Sequence, residues 1–226
     1  MLRVKAAVMT TTTMTQIASD LWETRTDTPF PGLTTHAYLW TPGQTGSNAL
    51  FYCPATDADF AAIDSLGGVD NHYLSHQDEA GPMLARVADH FGARLHAPAA
   101  ESETIGKHSP IHVPLATRNR DGNGVEVIPT PGHTPGSTSY LVDGADGRYL
   151  FTGDTIFVGD DGRWSTFVIP GVGDAAAMAE SLRLLATLQP DVVISSAYVA
   201  RAVTVLGDLD WSECVAEALQ SIPANR

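Results

Sequence analysis

The stretch PTPGHTPGSTSYL, Pro129–Leu141, sets a histidine inside a turn crowded with proline and glycine and then runs into a strand-like segment. Pro131 and Pro135 fix φ on either side of His133, and Gly132 and Gly136 admit conformations that other residues avoid, so the turn is constrained around an imidazole. A histidine needed only for packing requires no such frame. Downstream, YLFTGDTIF, Tyr149–Phe157, repeats the arrangement with a different donor: an apolar strand run ends at Gly153 and presents Asp154. Upstream, LSHQDEAG, Leu74–Gly81, closes a third strand run at Ser75 and presents His76 and Asp78. Rigid scaffolds display ligands just beyond strand ends, and imidazole with carboxylate is a donor set for zinc or iron.

Periodicity supplies the scaffold around these loops. Val125–Ile128, Ser139–Val142 and Tyr149–Thr152 read as strands, as do His72–Leu74 and Arg94–His96. Between the last two, Met83, Leu84, Val87, Ala88 and Phe91 recur three and four apart, predicting a helix over Glu79–Phe91 that Gly92 terminates. Asp57–Leu66 predicts a short helix stopped by Gly67 and Gly68. Ala175–Leu188, with Met178, Leu182, Leu185 and Leu188 on one side, and Trp211–Ile222 predict two more, and Val192–Ser195 a strand. His36–Trp40 and Ala49–Tyr52 read as a hairpin around PGQTGS, whereas Ile17–Trp22 is too weakly patterned to assign. Two passages from strands into helices, with no linker between them, predict one layered α/β domain over residues 1–226.

The 226 residues carry 13 Lys and Arg against 26 Asp and Glu, a net charge of −13, which argues against a duplex nucleic-acid partner; a small-molecule substrate is expected on other grounds than charge. Two cysteines, Cys53 and Cys214, exclude a disulfide scaffold and fit a reducing compartment. MLRVKAAVM is too short for a secretory signal and no apolar run approaches a membrane span, so the expectation is a cytoplasmic protein with no membrane partner. Self-association through an apolar helix is left open as a homo-oligomer. GQTGS lacks the lysine of a phosphate loop, and the acidic turns lack calcium-loop spacing.

In their order along the chain, these pieces resemble the metallo-beta-lactamase-fold hydrolases, TPGHTPGS and FTGDTIF most strongly, over roughly His36 to Val199. The resemblance implies a four-layer αββα sandwich with metal ions at one edge, held by a first motif HxHxDH, a later isolated His, an Asp in a GD turn and a final His. Carried over by position, His76 matches the first His and Asp78 stands for the second. Ala80 and Gly81 take the Asp and second-site His positions, His133 matches the isolated His, and Asp154 matches the bridging carboxylate. The final His is absent, with Ser196, Ala197 or Tyr198 near its place in ISSAYVA. Alanine and glycine donate nothing to a cation, so the surviving set implies a mononuclear centre of His76, Asp78, His133 and Asp154 for one divalent metal, zinc or iron. IFVGDDGRW resembles the loop after the metal aspartate in glyoxalase-II-like members, which implies substrate contacts from Phe157, Arg163 and Trp164.

Each residue also has a plain structural reading. Asp78 could cap the following helix, Glu79 could be a solvated first-turn residue, His76 a strand-end hydrogen bonder, and Asp154 an Asx-turn former. Arg163 and Trp164 could serve a surface ion pair and packing. Three functions remain: a metal-dependent hydrolase of esters, thioesters or related bonds, in which Asp78 completes the metal shell or orients water; a non-catalytic ligand-binding or regulatory protein; and a mononuclear non-haem iron protein.

Overall fold

The computed structural model describes residues 14–30, 33–43, 46–198 and 201–222. A seven-stranded sheet has the spatial order Thr15–Ala18, Leu21–Glu23, Tyr38–Trp40, Ala49–Phe51, Asn71–Tyr73, Arg94–Pro98 and Val113–Leu115. A six-stranded sheet follows the order Asn119–Arg120, Glu126–Pro129, Thr138–Gly144, Gly147–Gly153, Val192–Ser195 and Val203–Val205.

The alternation of side chains along a strand explains why both faces of the second sheet are covered. Val127, Tyr140, Val142, Tyr149, Phe151, Val192 and Ile194 point to the first sheet and pack with Leu21, Tyr38, Phe51 and Tyr73. Phe51 and Phe151 stack across this interface with ring centroids 3.9 Å apart. The interleaved Ile128, Leu141, Leu150 and Val193 turn outward and meet helices α4 (Ala175–Leu185) and α5 (Trp211–Gln220). A one-residue slip of any central strand would exchange its two faces, so the apolar pattern holds the register. On the outer face of the first sheet, α2 (Pro82–Phe91) and α3 (Ser102–Ile105) contribute Leu84 and Ile105 to a third cluster with Leu74, Leu95 and Ala97. Helices, sheet, sheet and helices form the expected αββα sandwich.

Several boundaries differ from the sequence-based expectation. The helix anticipated from Glu79 starts at Pro82, after an extended Gly81, and Gln77–Glu79 forms a separate 3-10 turn. Proline has no N–H to satisfy and a φ already set for a first helical position, so the helix begins there. Gly92 does end it, at φ 70°. Thr15–Ala18 and Leu21–Glu23 form a hairpin that the weak pattern of Ile17–Trp22 did not disclose, because Thr15–Ala18 is the edge strand and buries none of its residues fully. Tyr38–Trp40 pairs with Ala49–Phe51 as expected, although two residues of the PGQTGS turn, the opening MLRVKAAVM and Val199 lie outside the described residues. Both cysteines are free, and no helix among the described residues is long and apolar enough to cross a membrane.

Parallel pairing sets the site. Ala49–Phe51, Asn71–Tyr73 and Arg94–Pro98 run parallel in one sheet, and Gly147–Gly153 and Val192–Ser195 in the other. Strands that share a direction finish at the same edge, so Tyr52, His76, Asp154 and Ser196 emerge together.

Candidate metal centre

At that edge the two imidazoles meet. The rings of His76 and His133 lie 4.8 Å apart at 88°, and each Nε2 is 3.6 Å from Asp154 Oδ2. Ligating atoms of His76, Asp78 and His133 all fall within 4.8 Å of one another. Both histidines are buried and Asp78 is exposed, so the group opens to solvent on the Asp78 side. Asp78 does not cap α2, whose N-cap is Gly81 with no side-chain cap bond.

The outer nitrogens determine which ring atoms face the cluster. His133 Nδ1 donates to the Phe167 carbonyl at 2.8 Å, which leaves Nε2 as the lone-pair atom. That Nε2 is buried and has no hydrogen-bond partner. Such an orphan has a cost unless something else meets it, and a cation is the partner that two imidazoles and carboxylates suit. His76 Nδ1 donates to Ser75 Oγ at 2.8 Å, and the Ser75 hydroxyl donates on to Glu79 Oε1 at 2.5 Å. Glu79 Oε2 also accepts from Ser75 N at 3.0 Å. Glu79 is therefore no solvated first-turn residue; it orients His76 through Ser75.

Charge separates the two rings. Burial works against the charged form of His76, but its Glu79 link and the nearby carboxylates of Asp154, Glu79 and Asp78 outweigh it and push the pKa up to about 9. Burial and the neighbouring His76 lower the pKa of His133, which keeps its imidazole neutral. The residues fit a single divalent cation: a neutral nitrogen with an exposed lone pair, a second imidazole braced from behind that would give up its Nε2 proton on ligation, and carboxylates within reach.

Asp154 is held from the other sheet. Ser196 Oγ and the Ala197 N–H, the latter at 3.1 Å, both donate to its Oδ1. This anchor spans the chain rather than a local Asx turn, and Ser196 supplies it near the place where the resemblance called for a final histidine. Gly153 has φ +55°, and a Cβ there would stand 2.5 Å from Ser75 Oγ. The glycine of the GD turn thus lets the Asp154 loop close onto the His76 loop. Below it, Tyr52 donates to the Ile194 carbonyl and accepts from Gly153 N, at 2.8 and 2.9 Å. Tyr52 itself holds φ 65°, a left-handed conformation that costs on the order of 1–3 kcal/mol in a non-glycine residue.

A second brace was not anticipated. Glu101, buried beside α3, accepts from Gln77 N at 2.7 Å and Gly136 N at 2.8 Å. One carboxylate thereby ties the His76 loop to the His133 loop. A Cβ on Gly136 would lie 2.6 Å from Glu101 Cδ, which explains that glycine. Sequence reasoning missed Glu101 because its partners are backbone groups far along the chain.

The cluster opens into a cleft of about 330 Å³ lined in part by Asp27, His36, Tyr52, Met83 and Ser196. The expected substrate wall lies elsewhere. Phe157, Arg163 and Trp164 line a separate depression with Glu217 and none of them lines the cleft. Arg163 Nε is 2.8 Å from Glu217 Oε1, and Trp164 packs edge-on against Trp211 in the outer core of the second sheet. Arg163 and Trp164 thus make the surface ion pair and the packing contact that their structural readings foresaw, with α5 lying against this loop.

The family profile described as the metallo-beta-lactamase superfamily matches residues 69–197, more than half of the chain. The protein belongs to that superfamily. It is 30% identical over 179 residues to a hydroxyacylglutathione hydrolase of Shewanella oneidensis, an alignment covering 71% of this chain and 61% of the relative. A hydroxyacylglutathione hydrolase of Acidiphilium cryptum is 29% identical over 70% of this chain and 62% of the relative. The chain spans about three fifths of the length of these relatives. Among solved structures, a metallo-beta-lactamase from Pontibacter korlensis superposes with a TM-score of 0.70 at 15% identity, covering 92% of this chain and 97% of its own, a likeness of fold alone.

Proposed function

We propose that the protein is a metal-dependent hydrolase that uses one divalent cation, zinc or iron, held by His76, His133, Asp154 and Asp78, to cleave an ester or thioester of a small molecule. The observation that carries this reading is the buried, unpartnered Nε2 of His133, facing the carboxylate that His76 Nε2 also faces. A cation bound there supplies Lewis acidity and a water of lowered pKa. The chain's own residues do the rest. Phe167 and the Ser75–Glu79 pair hold the two imidazoles in orientation, and Ser196 and Ala197 keep Asp154 Oδ2 turned to the histidines. Asp78, the exposed carboxylate, is placed to accept a proton or to orient water. The names of the hydroxyacylglutathione hydrolase relatives support thioester hydrolysis as the reaction class.

Metal content of the purified chain tests this. One equivalent of zinc or iron is expected, falling below about a tenth in H76A and H133A, with both variants still folded by circular dichroism and with hydrolysis lost alongside the metal. A metal-free protein under replete conditions would sink the hydrolase reading and favour the ligand-binding one, consistent with Ala80 and Gly81 in the second-site positions. Bound iron with no hydrolysis would favour the mononuclear non-haem iron reading.

A further inference from the structure

Apart from its histidines, the ionisable side chains in the wall of the cleft are all acidic except the Tyr52 phenol and the Cys53 thiol. Asp27, Asp78, Glu79 and Asp154 line it, and among the described residues no lysine or arginine does. Arg25 sits in an adjoining depression that shares Asp27, Pro54 and Ala55 with the cleft. Its guanidinium is committed to Asp59 Oδ1, with Nε at 3.0 Å and Nη2 at 2.7 Å. His36 is also engaged: Nδ1 donates to the Thr24 carbonyl at 2.8 Å and Nε2 accepts from the Tyr198 hydroxyl at 2.6 Å.

A divalent cation held there would offset the charge of Asp78, which belongs to the cluster, and of Asp154, whose Oδ2 is 3.6 Å from each imidazole, leaving Asp27 and Glu79 in the wall. Glu79 is occupied by Ser75. Asp27 is different. It is half-buried at the cleft and makes no side-chain hydrogen bond or ion pair with any other described residue. A partly desolvated carboxylate without a partner is complemented by a cation, whereas an anionic group would meet like charge and no donor fork. The net charge of −13 adds a field of the same sign.

We propose that the cleft selects a substrate whose non-reacting end bears an ammonium group, with Asp27 as its counter-ion. For the identity of the reacting bond the inference rests on the hydrolase reading; for the charge preference it does not. A glutathione conjugate, with two carboxylates against one ammonium, is then a poor substrate.

The test uses three thioesters of one acyl group whose thiol ends in an ammonium, a methyl or a carboxylate, and the three matching unreactive amides, with the metal-loaded full chain. The ammonium thioester is expected to exceed the carboxylate one about fivefold in kcat/KM, the ratio that a half-exposed ion pair of about 1 kcal/mol produces. Added salt narrows that ratio, D27N brings it towards one, and D27K inverts it. The amides, measured by calorimetry, follow the same order. A carboxylate amide that binds as well as the ammonium amide, no measurable binding of either, or a preference untouched by D27N and D27K overturns the proposal. If no thioester is cleaved while the amides keep their order, the charge preference stands and the hydrolase reading falls.

Discussion

Two pairs of buried histidines serve this molecule, and only one pair makes a candidate site. His72 and His96 lie on strands of the first sheet, His76 and His133 in the loops beyond strand ends, and all four are 2–3% exposed. Burial does not distinguish them. It lowers the pKa of both His72 and His96 to about 4. His72 Nε2 donates to the Tyr52 carbonyl at 2.8 Å, and His96 Nε2 to Asn71 Oδ1 at 2.9 Å with its ring stacked on Tyr73. His96 Nδ1 is even an unpartnered buried nitrogen, like His133 Nε2. The difference lies in what converges. Carboxylates and a second imidazole face His133 Nε2, whereas His96 faces the packed interior of a sheet. An orphaned nitrogen becomes a candidate ligand only when other donors share its small volume.

Acid should expose the strand pair with the largest effect. With folded pKa values near 4 and ordinary values near 6.5, these histidines leave the folded chain binding fewer protons than the unfolded chain between those limits. Their contribution to stability is whole above about pH 6.5 and declines as the pH falls towards 4. Each should cost about 2 kcal/mol between pH 7.5 and 5.0. Urea unfolding of H96Q at the two pH values should show a shallower decline by about that amount, with metal content unchanged. An unchanged decline, or lost metal, would erase the distinction between the pairs.

A smaller effect is expected where the loop pair is held together. E101Q puts an amide where two backbone N–H groups need an acceptor, so one of them meets N–H with N–H. Metal affinity should drop about tenfold, as changes behind a ligand shell commonly do, and E101D should recover part of it. Metal competition titration reads this directly, and an affinity equal to wild type would show that the loops hold their places without Glu101. The smallest effect belongs to Arg163, whose partner is Glu217 on α5. R163A should leave metal content and KM unchanged, and a raised KM would return the second depression to the substrate path.

Much of the scaffold was legible because alternation with period two and recurrence at three and four residues are written locally. Met178, Leu182, Leu185 and Leu188 are all buried as their spacing implied. His76, His133 and Asp154 were legible as strand-end polar residues in constrained turns. Glu79, Glu101 and Ser196 were not, since each acts through a bond to a backbone group, or to a side chain, that only folding brings near. Phe157, Arg163 and Trp164 show the converse: adjacency to Asp154 along the chain did not put them in the lining of the His76 cleft, because their loop packs under α5 and lines a separate depression.

By itself, the order of strands, turns and donor residues determined a layered α/β domain, carried the resemblance that implied its αββα arrangement, and named the imidazoles and the Asp154 carboxylate that stand at its edge. Tertiary structure alone decided that both Nε2 atoms face one carboxylate, that Glu79 turns back to brace His76, and that Asp27 has no side-chain partner among the described residues. The physical reason is range. Patterning of apolar residues acts between near neighbours in sequence, while the direction of a lone pair and the company of a charge depend on folded contacts between separate segments, as where His133 Nδ1 meets the Phe167 carbonyl 34 positions away and Asp154 Oδ1 meets the Ala197 N–H 43 positions away.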